Sequence, residues 1–225
     1  GDLGVEMPTE KVPIIQKMLI KKANQKGKLV ITATQMLESM TQHTRPTRAE
    51  ATDVANAVID NTDALMLSAE TATGKYPVEA LKMMSMIIKY TEENMGLPMT
   101  QYELKATVPE AIADGACKVS QNINAKAIAV FTHSGFTARL ISKLRPNVPI
   151  LAFTPDEKIL KRLSLYWEVI PKLIKQTEAE IDQSFIEEIG QSLKMENMAK
   201  KGDNIVFVAS SPFLGRPNII RVHKL

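Results

Sequence analysis

The sequence predicts an α/β protein with mostly parallel strands, divided into two domains. Short apolar runs of strand length alternate with amphipathic stretches of helix length, which is the pattern of successive βαβ units. At 225 residues, the chain is long enough for one large domain or two small ones. The run Gly96-Leu97-Pro98 is typical of a linker. We therefore expect a first domain over residues 1–96 and a second over residues 97–225.

The first domain is predicted to contain three helices and two strands. Pro13 suits the first turn of a helix that should end at Gly27. Thr47 and Glu50 have the T-x-x-E spacing of a capping box and should begin the next helix. The other elements are a buried strand over 29–33, a second strand over 64–67 and a long helix from Pro77 to about Asn94. Three methionines of that helix are expected to pack in the core: Met83, Met84 and Met86.

The second domain is predicted to repeat this alternation. Thr107 with Glu110, and Thr177 with Glu180, have the capping-box spacing again, the latter pair before a helix that ends near Met198. The remaining segments are strands over 127–131, 149–153, near Val169, 204–209 and 219–222, and helices over about 136–144 and 156–164. A loop rich in Pro and Gly joins the last two strands, which predicts a hairpin.

Composition excludes several classes of protein. The net charge is +3 and aromatic residues are 5% of the chain, so a nucleic-acid binder is not expected. No apolar run approaches the length of a membrane-spanning helix. The histidines His43, His133 and His223 lack the spacing of zinc ligands. The single cysteine, Cys117, excludes an internal disulfide and suits a reducing compartment, so we expect a cytoplasmic protein in which this thiol is buried.

Polar side chains follow the predicted strands of the first domain. Asp2 stands at the start of the chain, Thr34 follows the strand at 29–33, and Ser68 and Glu70 follow the strand at 64–67. Ligands of parallel α/β proteins bind at the carboxyl ends of strands. Carboxylates and hydroxyls suit Mg²⁺, phosphate or a small acid, but the same residue types also cap helices without any ligand. The spacing alone leaves both interpretations open.

A second candidate site lies in the second domain, where a strand leads into a helix. Thr132, Ser134 and Thr137 offer hydroxyls around Gly135, and the helix start offers free N–H groups with a partial positive charge. This arrangement predicts an anion site, and an ordinary capped turn remains the alternative.

Five sequence words identify a family resemblance. They are GDLGVE, TATQMLESM, RPTRAE, DVANAV and MLSAETA, beginning at residues 1, 32, 45, 53 and 66. Together and in this order they resemble pyruvate kinase, strongly over residues 1–95 and more weakly to residue 225. The resemblance implies that the first domain is the C-terminal portion of a (β/α)8 TIM barrel. It implies that the second is the separate regulatory α/β domain, with a mostly parallel sheet.

The resemblance also implies a reaction and roles for individual residues. Phosphoenolpyruvate would give its phosphoryl group to ADP, yielding pyruvate and ATP. Asp2 would bind Mg²⁺ (or Mn²⁺), and the backbone of Gly1 and Asp2 would receive the substrate carboxylate. Thr34 would contact the substrate, and Ser68 would lie on the proton route to the enolate, although a structural role for Ser68 is equally open. Arg48 and Glu50 are interpreted as structural.

Other parts of the site are implied to lie upstream of residue 1. These are the electrophilic lysine, the second acidic metal ligand, the arginine that binds the substrate phosphate, and the K⁺ ligands. We therefore expect the 225-residue chain alone to be inactive. The intact enzyme is expected to be a homotetramer.

The loop after the strand at 127–131 resembles the effector site of allosteric family members that bind a sugar bisphosphate. Thr132, His133, Ser134, Gly135 and Thr137 would form it, with Arg216 as a cation. His133 and Phe136 stand where such members tend to carry basic residues, so a monophosphate, a nucleotide or no effector are alternatives. A different class of function also remains, a non-catalytic phosphometabolite-binding module with this fold. Asp2 together with Thr34 favours the enzyme.

Overall fold

The computed structural model describes residues 2–95, 107–174, 183–209 and 217–225. For Asp2, Gln183, Ser184, Phe185, Glu188 and Ser192 it describes the backbone alone. The chain divides into two compact units, Gly1–Thr100 and Gln101–Leu225. Four predicted features lie outside the described residues: Gly1, the linker at 96–98, the helix start at Thr177, and the loop 210–216 with Arg216.

The first unit contains five helices and two strands in its described part. They are α1 (Asp2–Glu6), α2 (Val12–Gln25), β1 (Ile31–Ala33), α3 (Arg48–Ile59), β2 (Ala64–Met66), α4 (Ala69–Ala72) and α5 (Pro77–Asn94). Short 3-10 turns at Thr9–Lys11 and Glu38–Thr41 join them. The predicted starts of α3 and α5 are confirmed, because Thr47 caps α3 through a complete capping box and Pro77 stands in the first turn of α5.

The strands β1 and β2 form a parallel pair in which Ile31 lies opposite Ala64 and Ala33 opposite Met66. Both are three residues long, shorter than predicted, and the prediction that the first is buried is wrong. Ile31 is 45% exposed and Met66 is 43% exposed. In the described part each of these strands has one hydrogen-bonded neighbour, so no further strand lies along its other edge to shield these side chains from solvent.

The core of the first unit joins α3, α5 and the segment after β1. Its buried members are Met36, Leu37, Met40, Val54, Ala57, Ala80 and Met84. Met83 packs against this cluster in a partly buried position. The prediction for Met86 is wrong, because its side chain is 64% exposed. Met84 lies one helical turn after Ala80 on the inner face of α5, and Met86 lies about 200° around the helix from it.

In its described part, the second unit is a five-stranded sheet with helices on both faces. Its elements are α6 (Val108–Asn122), β3 (Ala127–Phe131), α7 (Phe136–Lys143), β4 (Ile150–Thr154), α8 (Glu157–Leu163), β5 (Val169–Leu173), α9 (Gln183–Met195), β6 (Asn204–Ala209) and β7 (Ile219–Lys224). The strand order is β5-β4-β3-β6-β7. All neighbours are parallel except β6 and β7, which pair antiparallel and confirm the predicted hairpin.

Alternate side chains of the central strands supply two cores. Ile128, Val130 and Val206 pack on one face, where α6, α7 and α8 contribute residues. Phe131, Leu151 and Phe207 belong to the other core, to which α9 contributes Ile186 and Ile189. Burial on both faces explains why these strands are continuous apolar runs in the sequence.

One predicted cap differs from the structure. Thr107 precedes α6 in an extended conformation, as an N-cap should, but its side chain accepts no backbone hydrogen bond. Instead its hydroxyl donates to the Glu110 carboxylate at 3.1 Å. The capping-box spacing therefore predicts the start of α6 correctly and its hydrogen bonds incorrectly.

No helix in the part of the chain that the structure describes is long and apolar enough to cross a membrane.

Candidate functional site

The carboxyl ends of β1 and β2 lie side by side. Ala33 and Met66 are opposite each other at the ends of the two parallel strands. Thr34 follows β1 directly, and Ser68 follows β2 after one intervening residue. The structure therefore brings the loops that carry these two predicted site residues to the same edge. We call residues 34–47 the β1 loop and residues 67–76 the β2 loop.

Thr34 turns the chain sharply at the end of β1. Its φ is 69° and that of Gln35 is 56°, so two successive residues that are not glycine adopt the left-handed region. The Thr34 hydroxyl donates to the Ala33 carbonyl oxygen at 2.6 Å. This hydroxyl is therefore engaged locally, and its oxygen keeps acceptor capacity for a ligand.

Ser68 has a buried hydroxyl, and no residue that the structure describes forms a hydrogen bond with it. The residue stands directly before α4 but makes no side-chain cap there. Ser68 therefore does not have the structural role that was open for it, that of a helix cap. A buried hydroxyl without a partner costs free energy, so its position is not explained by the stability of the loop.

The sequence left open whether Glu70 binds a ligand or caps a helix, and the structure shows a different use. The side chain is completely buried. Its Oε1 accepts from the Leu37 N–H at 3.0 Å and its Oε2 from the Ser68 N–H at 2.7 Å. Both oxygens therefore bind backbone groups, one in each loop. Sequence reasoning missed this role because Leu37 is 33 residues away in the chain.

Glu50 has the structural role that was predicted, and it extends further than a helix cap. Its Oε2 accepts from the Thr47 N–H at 2.7 Å, and its Oε1 accepts from the Ser39 N–H at 2.7 Å. Hydroxyls of the same two residues also donate to Oε2. Burial alone would raise the pKa of Glu50, but these hydrogen bonds outweigh it and hold the pKa below its ordinary value of 4.5.

Asp2, the predicted metal ligand, is the first residue of α1, and its side chain is outside the described part of the structure. Within that part, no group of three or more His, Cys, Asp or Glu side chains is arranged to hold a metal ion.

The predicted anion loop of the second unit connects β3 to α7. Gly135 stands before α7 with a φ of 77°, a conformation that favours glycine. Ser134 is exposed, whereas Thr132 and Thr137 are buried. The Arg139 guanidinium lies 5.5 Å from the centre of the Phe136 ring, which places a cation on the first turns of α7. Of the three predicted hydroxyl residues, Ser134 is the one at the surface.

Cys117 lies in α6 and is buried, as predicted. Burial, with a smaller contribution from Asp114, raises the pKa of its thiol to about 12. A thiol with this pKa is a packing residue rather than a nucleophile.

Comparisons with known proteins cover both units. Residues 1–81 match the family described as pyruvate kinase, barrel domain, and residues 110–223 match pyruvate kinase, alpha/beta domain. A pyruvate kinase of Clostridium perfringens is 44% identical over the whole chain, which covers 49% of that relative. One of Thermotoga maritima is also 44% identical, with 48% of it covered.

A crystal structure of a pyruvate kinase from Cryptosporidium parvum has a TM-score of 0.90 and 36% identity. The match covers 98% of this chain and 45% of that one. The chain therefore spans about half the length of these relatives.

Proposed function

The chain belongs to the pyruvate kinase family, and we propose that it acts as the carboxyl-terminal part of an enzyme that transfers the phosphoryl group of phosphoenolpyruvate to ADP. The observation that carries this proposal is the arrangement at the ends of β1 and β2. Thr34 and the buried Ser68 hydroxyl follow neighbouring strand ends, and the family relation covers the whole chain. Products would be pyruvate and ATP.

We assign each residue a role that its chemistry allows. The backbone of Gly1 and Asp2 would receive the substrate carboxylate, because glycine permits close approach. Thr34 would contact the same substrate through its hydroxyl oxygen. Asp2 would contribute one carboxylate to the divalent cation, Mg²⁺ or Mn²⁺, which when bound offsets negative charge on the phosphoryl group.

Ser68 would act after phosphoryl loss, when an enolate remains. The π electron pair of the enolate forms a new C–H bond, its oxygen becomes a carbonyl, and solvent supplies the proton. The Ser68 hydroxyl has no hydrogen-bond partner among the described residues, so it can both donate and accept a proton along that route. General acid assistance of this kind is worth roughly 10²–10⁴ in rate.

We also propose that residues 1–225 alone do not catalyse the reaction. The resemblance assigns the electrophilic lysine, the phosphate-binding arginine, a second acidic metal ligand and the K⁺ ligands to segments before residue 1. Positioning and charge stabilisation supply most of the catalysis in phosphoryl transfer, so half a site should have no measurable turnover.

The test uses a hybrid polypeptide in which residues 1–225 replace the matching half of the Clostridium perfringens relative. Pyruvate formation is followed by coupling to lactate dehydrogenase, for the hybrid and for the isolated chain. Turnover by the hybrid and none by the isolated chain are expected. A folded, inactive hybrid would refute the enzyme assignment and favour the phosphometabolite-binding module. Turnover by the pure isolated chain would refute its proposed inactivity.

We further propose a phosphate site at the loop 132–137, for an effector rather than a substrate. The exposed Ser134 hydroxyl, the start of α7 and the Arg139 cation support it. His133 and Phe136 make a sugar bisphosphate a poor fit, which favours a monophosphate or a nucleotide. In thermal-shift titrations, AMP or a sugar monophosphate should stabilise the hybrid and the Ser134→Ala variant should abolish the shift. No shift with any phosphorylated ligand would refute the site.

On family grounds we also expect a cytoplasmic homotetramer for the intact enzyme. Sedimentation of the hybrid tests the assembly, and a monomer at micromolar concentration would contradict it.

A further inference from the structure

Glu70 connects the two loops that carry the candidate site residues. It lies in α4, within the β2 loop, and its side chain has no exposed surface. One carboxylate oxygen accepts from the Ser68 N–H and the other from the Leu37 N–H of the β1 loop. A carboxylate that binds two N–H groups forms charge-assisted hydrogen bonds, which are shorter and stronger than neutral ones. A single side chain thus fixes the distance between the two loops.

Two backbone contacts strengthen the same connection. The Lys75 N–H donates to the Thr41 carbonyl oxygen at 2.8 Å. Gly74 packs so closely that an added Cβ would lie 2.5 Å from the Glu70 carbonyl oxygen and 3.1 Å from Thr41 Cα. The β1 and β2 loops therefore touch through backbone, and the buried carboxylate of Glu70 lies at this contact.

We propose that Glu70 is a positioning residue for proton delivery. By holding the Ser68 N–H, it fixes the backbone of Ser68 and with it the position of the hydroxyl, which has no hydrogen-bond partner among the described residues, on the proton route to the enolate. By holding the Leu37 N–H, it keeps the β1 loop, which begins at Thr34, at a fixed distance from Ser68. Glu70 itself exchanges no proton with the substrate. This inference rests on the proposed function.

The test compares two reactions of the hybrid polypeptide. One is ATP formation from phosphoenolpyruvate and ADP, which requires phosphoryl transfer. The other is exchange of pyruvate methyl protons for solvent deuterium, followed by NMR, which requires proton transfer at carbon alone. Because a displacement of about 1 Å can cost about 10²-fold in rate, Glu70→Gln should lower methyl exchange at least about tenfold. ATP formation per folded molecule should fall less.

Glu50→Gln is the matched control. Glu50 is also a carboxylate of the first unit that accepts backbone N–H bonds, from Ser39 and Thr47. Its substitution should lower stability and leave the ratio of methyl exchange to ATP formation unchanged. A role of Glu70 in stability alone would leave that ratio unchanged in Glu70→Gln as well.

Glu70→Asp separates distance from charge. It keeps the carboxylate but is one methylene, about 1.5 Å, shorter, so it cannot reach both N–H groups from the same backbone position. We expect an impaired ratio in Glu70→Asp too, and faster hydrogen exchange of the Leu37 and Ser68 amides in the variant chain. A wild-type ratio in both Glu70 variants would overturn the proposal while leaving the enzyme assignment intact. A folded wild-type hybrid that forms no ATP would overturn the enzyme assignment, and with it this role.

Discussion

Replacement of Glu50 by Gln or Ala should destabilise the first unit in a way that depends on pH. The Glu50 carboxylate connects the N-cap of α3, Thr47, to Ser39 earlier in the β1 loop through four hydrogen bonds, two from Thr47 and two from Ser39. Gln can keep the three bonds at Oε2 if its carbonyl oxygen takes that place. Its NH₂ group then faces the Ser39 N–H, so one hydrogen bond and the negative charge are lost.

The size of the effect follows from these bonds. One net hydrogen bond contributes about 1 kcal/mol, and somewhat more when the acceptor is charged. Because the Thr47 bonds are exposed to solvent, we discount them. Glu50→Gln should therefore lower the free energy of unfolding by about 1–2 kcal/mol at pH 7. Glu50→Ala, which loses all four bonds, should lower it by about 2–3 kcal/mol.

The pH dependence has a definite sign. The folded-state pKa of Glu50 is held below the ordinary value of 4.5. Its stabilising contribution is therefore complete well above that pH and is lost as the pH falls through the folded pKa. The difference between the wild type and Glu50→Gln should be constant from pH 7 down to about pH 5.5 and should shrink on further acidification.

Urea unfolding at a series of pH values measures this difference, with hydrogen exchange of α3 amides reporting on the first unit alone. Asp156→Asn is a suitable control, because Asp156 caps α8 in the second unit and should leave α3 protection unchanged. A difference between wild type and Glu50→Gln that stays constant from pH 7 to pH 3 would contradict a stabilising role for the Glu50 charge. So would an effect of Glu50→Ala below about 0.5 kcal/mol.

Three further predictions concern the second unit. The pKa of the Cys117 thiol is raised to about 12. At pH 8 this thiol should therefore react with a disulfide reagent at least about 100-fold more slowly in the native chain than in urea. Comparable rates in the two conditions would contradict its burial. Gly135→Ala places a Cβ 3.1 Å from Leu163 at a φ of 77°, so it should lower the free energy of unfolding by about 1–2 kcal/mol. Gly4→Ala, in α1 of the first unit, is the control: an added Cβ meets nothing within 4 Å there, so it should not lower that free energy. Phe207→Ala should cost about 3–5 kcal/mol by calorimetry, and a loss under 1 kcal/mol would contradict its place in the core.

Local signals predicted the elements whose ends depend on local chemistry. Within a helix, proline is well tolerated only in the first turn, and α5 begins at Pro77. The capping box at Thr47 is formed by residues three apart, so its spacing predicted both the helix start and the hydrogen bonds. In the second unit the apolar run 127–131 became β3 with the predicted bounds, because that strand is buried on both faces.

Properties that depend on distant neighbours were not predicted. The exposure of Ile31 depends on what lies beside β1 in the sheet rather than on its own apolar run. One local feature was also predicted wrongly: the Thr107–Glu110 pair has capping-box spacing, yet the Thr107 hydroxyl donates to the Glu110 carboxylate and accepts no backbone N–H. The use of Glu70 depends on an N–H group 33 residues away, which no local pattern reveals.

The proposed enzymatic role is tested by the steady-state rate of the hybrid polypeptide with phosphoenolpyruvate and ADP, measured for the wild type and for Ser68→Ala. We expect turnover by the wild type and a loss of at least about tenfold in pyruvate formation for Ser68→Ala. The thermal midpoint of the variant should not fall, because the hydroxyl has no hydrogen-bond partner among the described residues. A folded hybrid without turnover, or a Ser68→Ala variant as active as the wild type, would contradict that role.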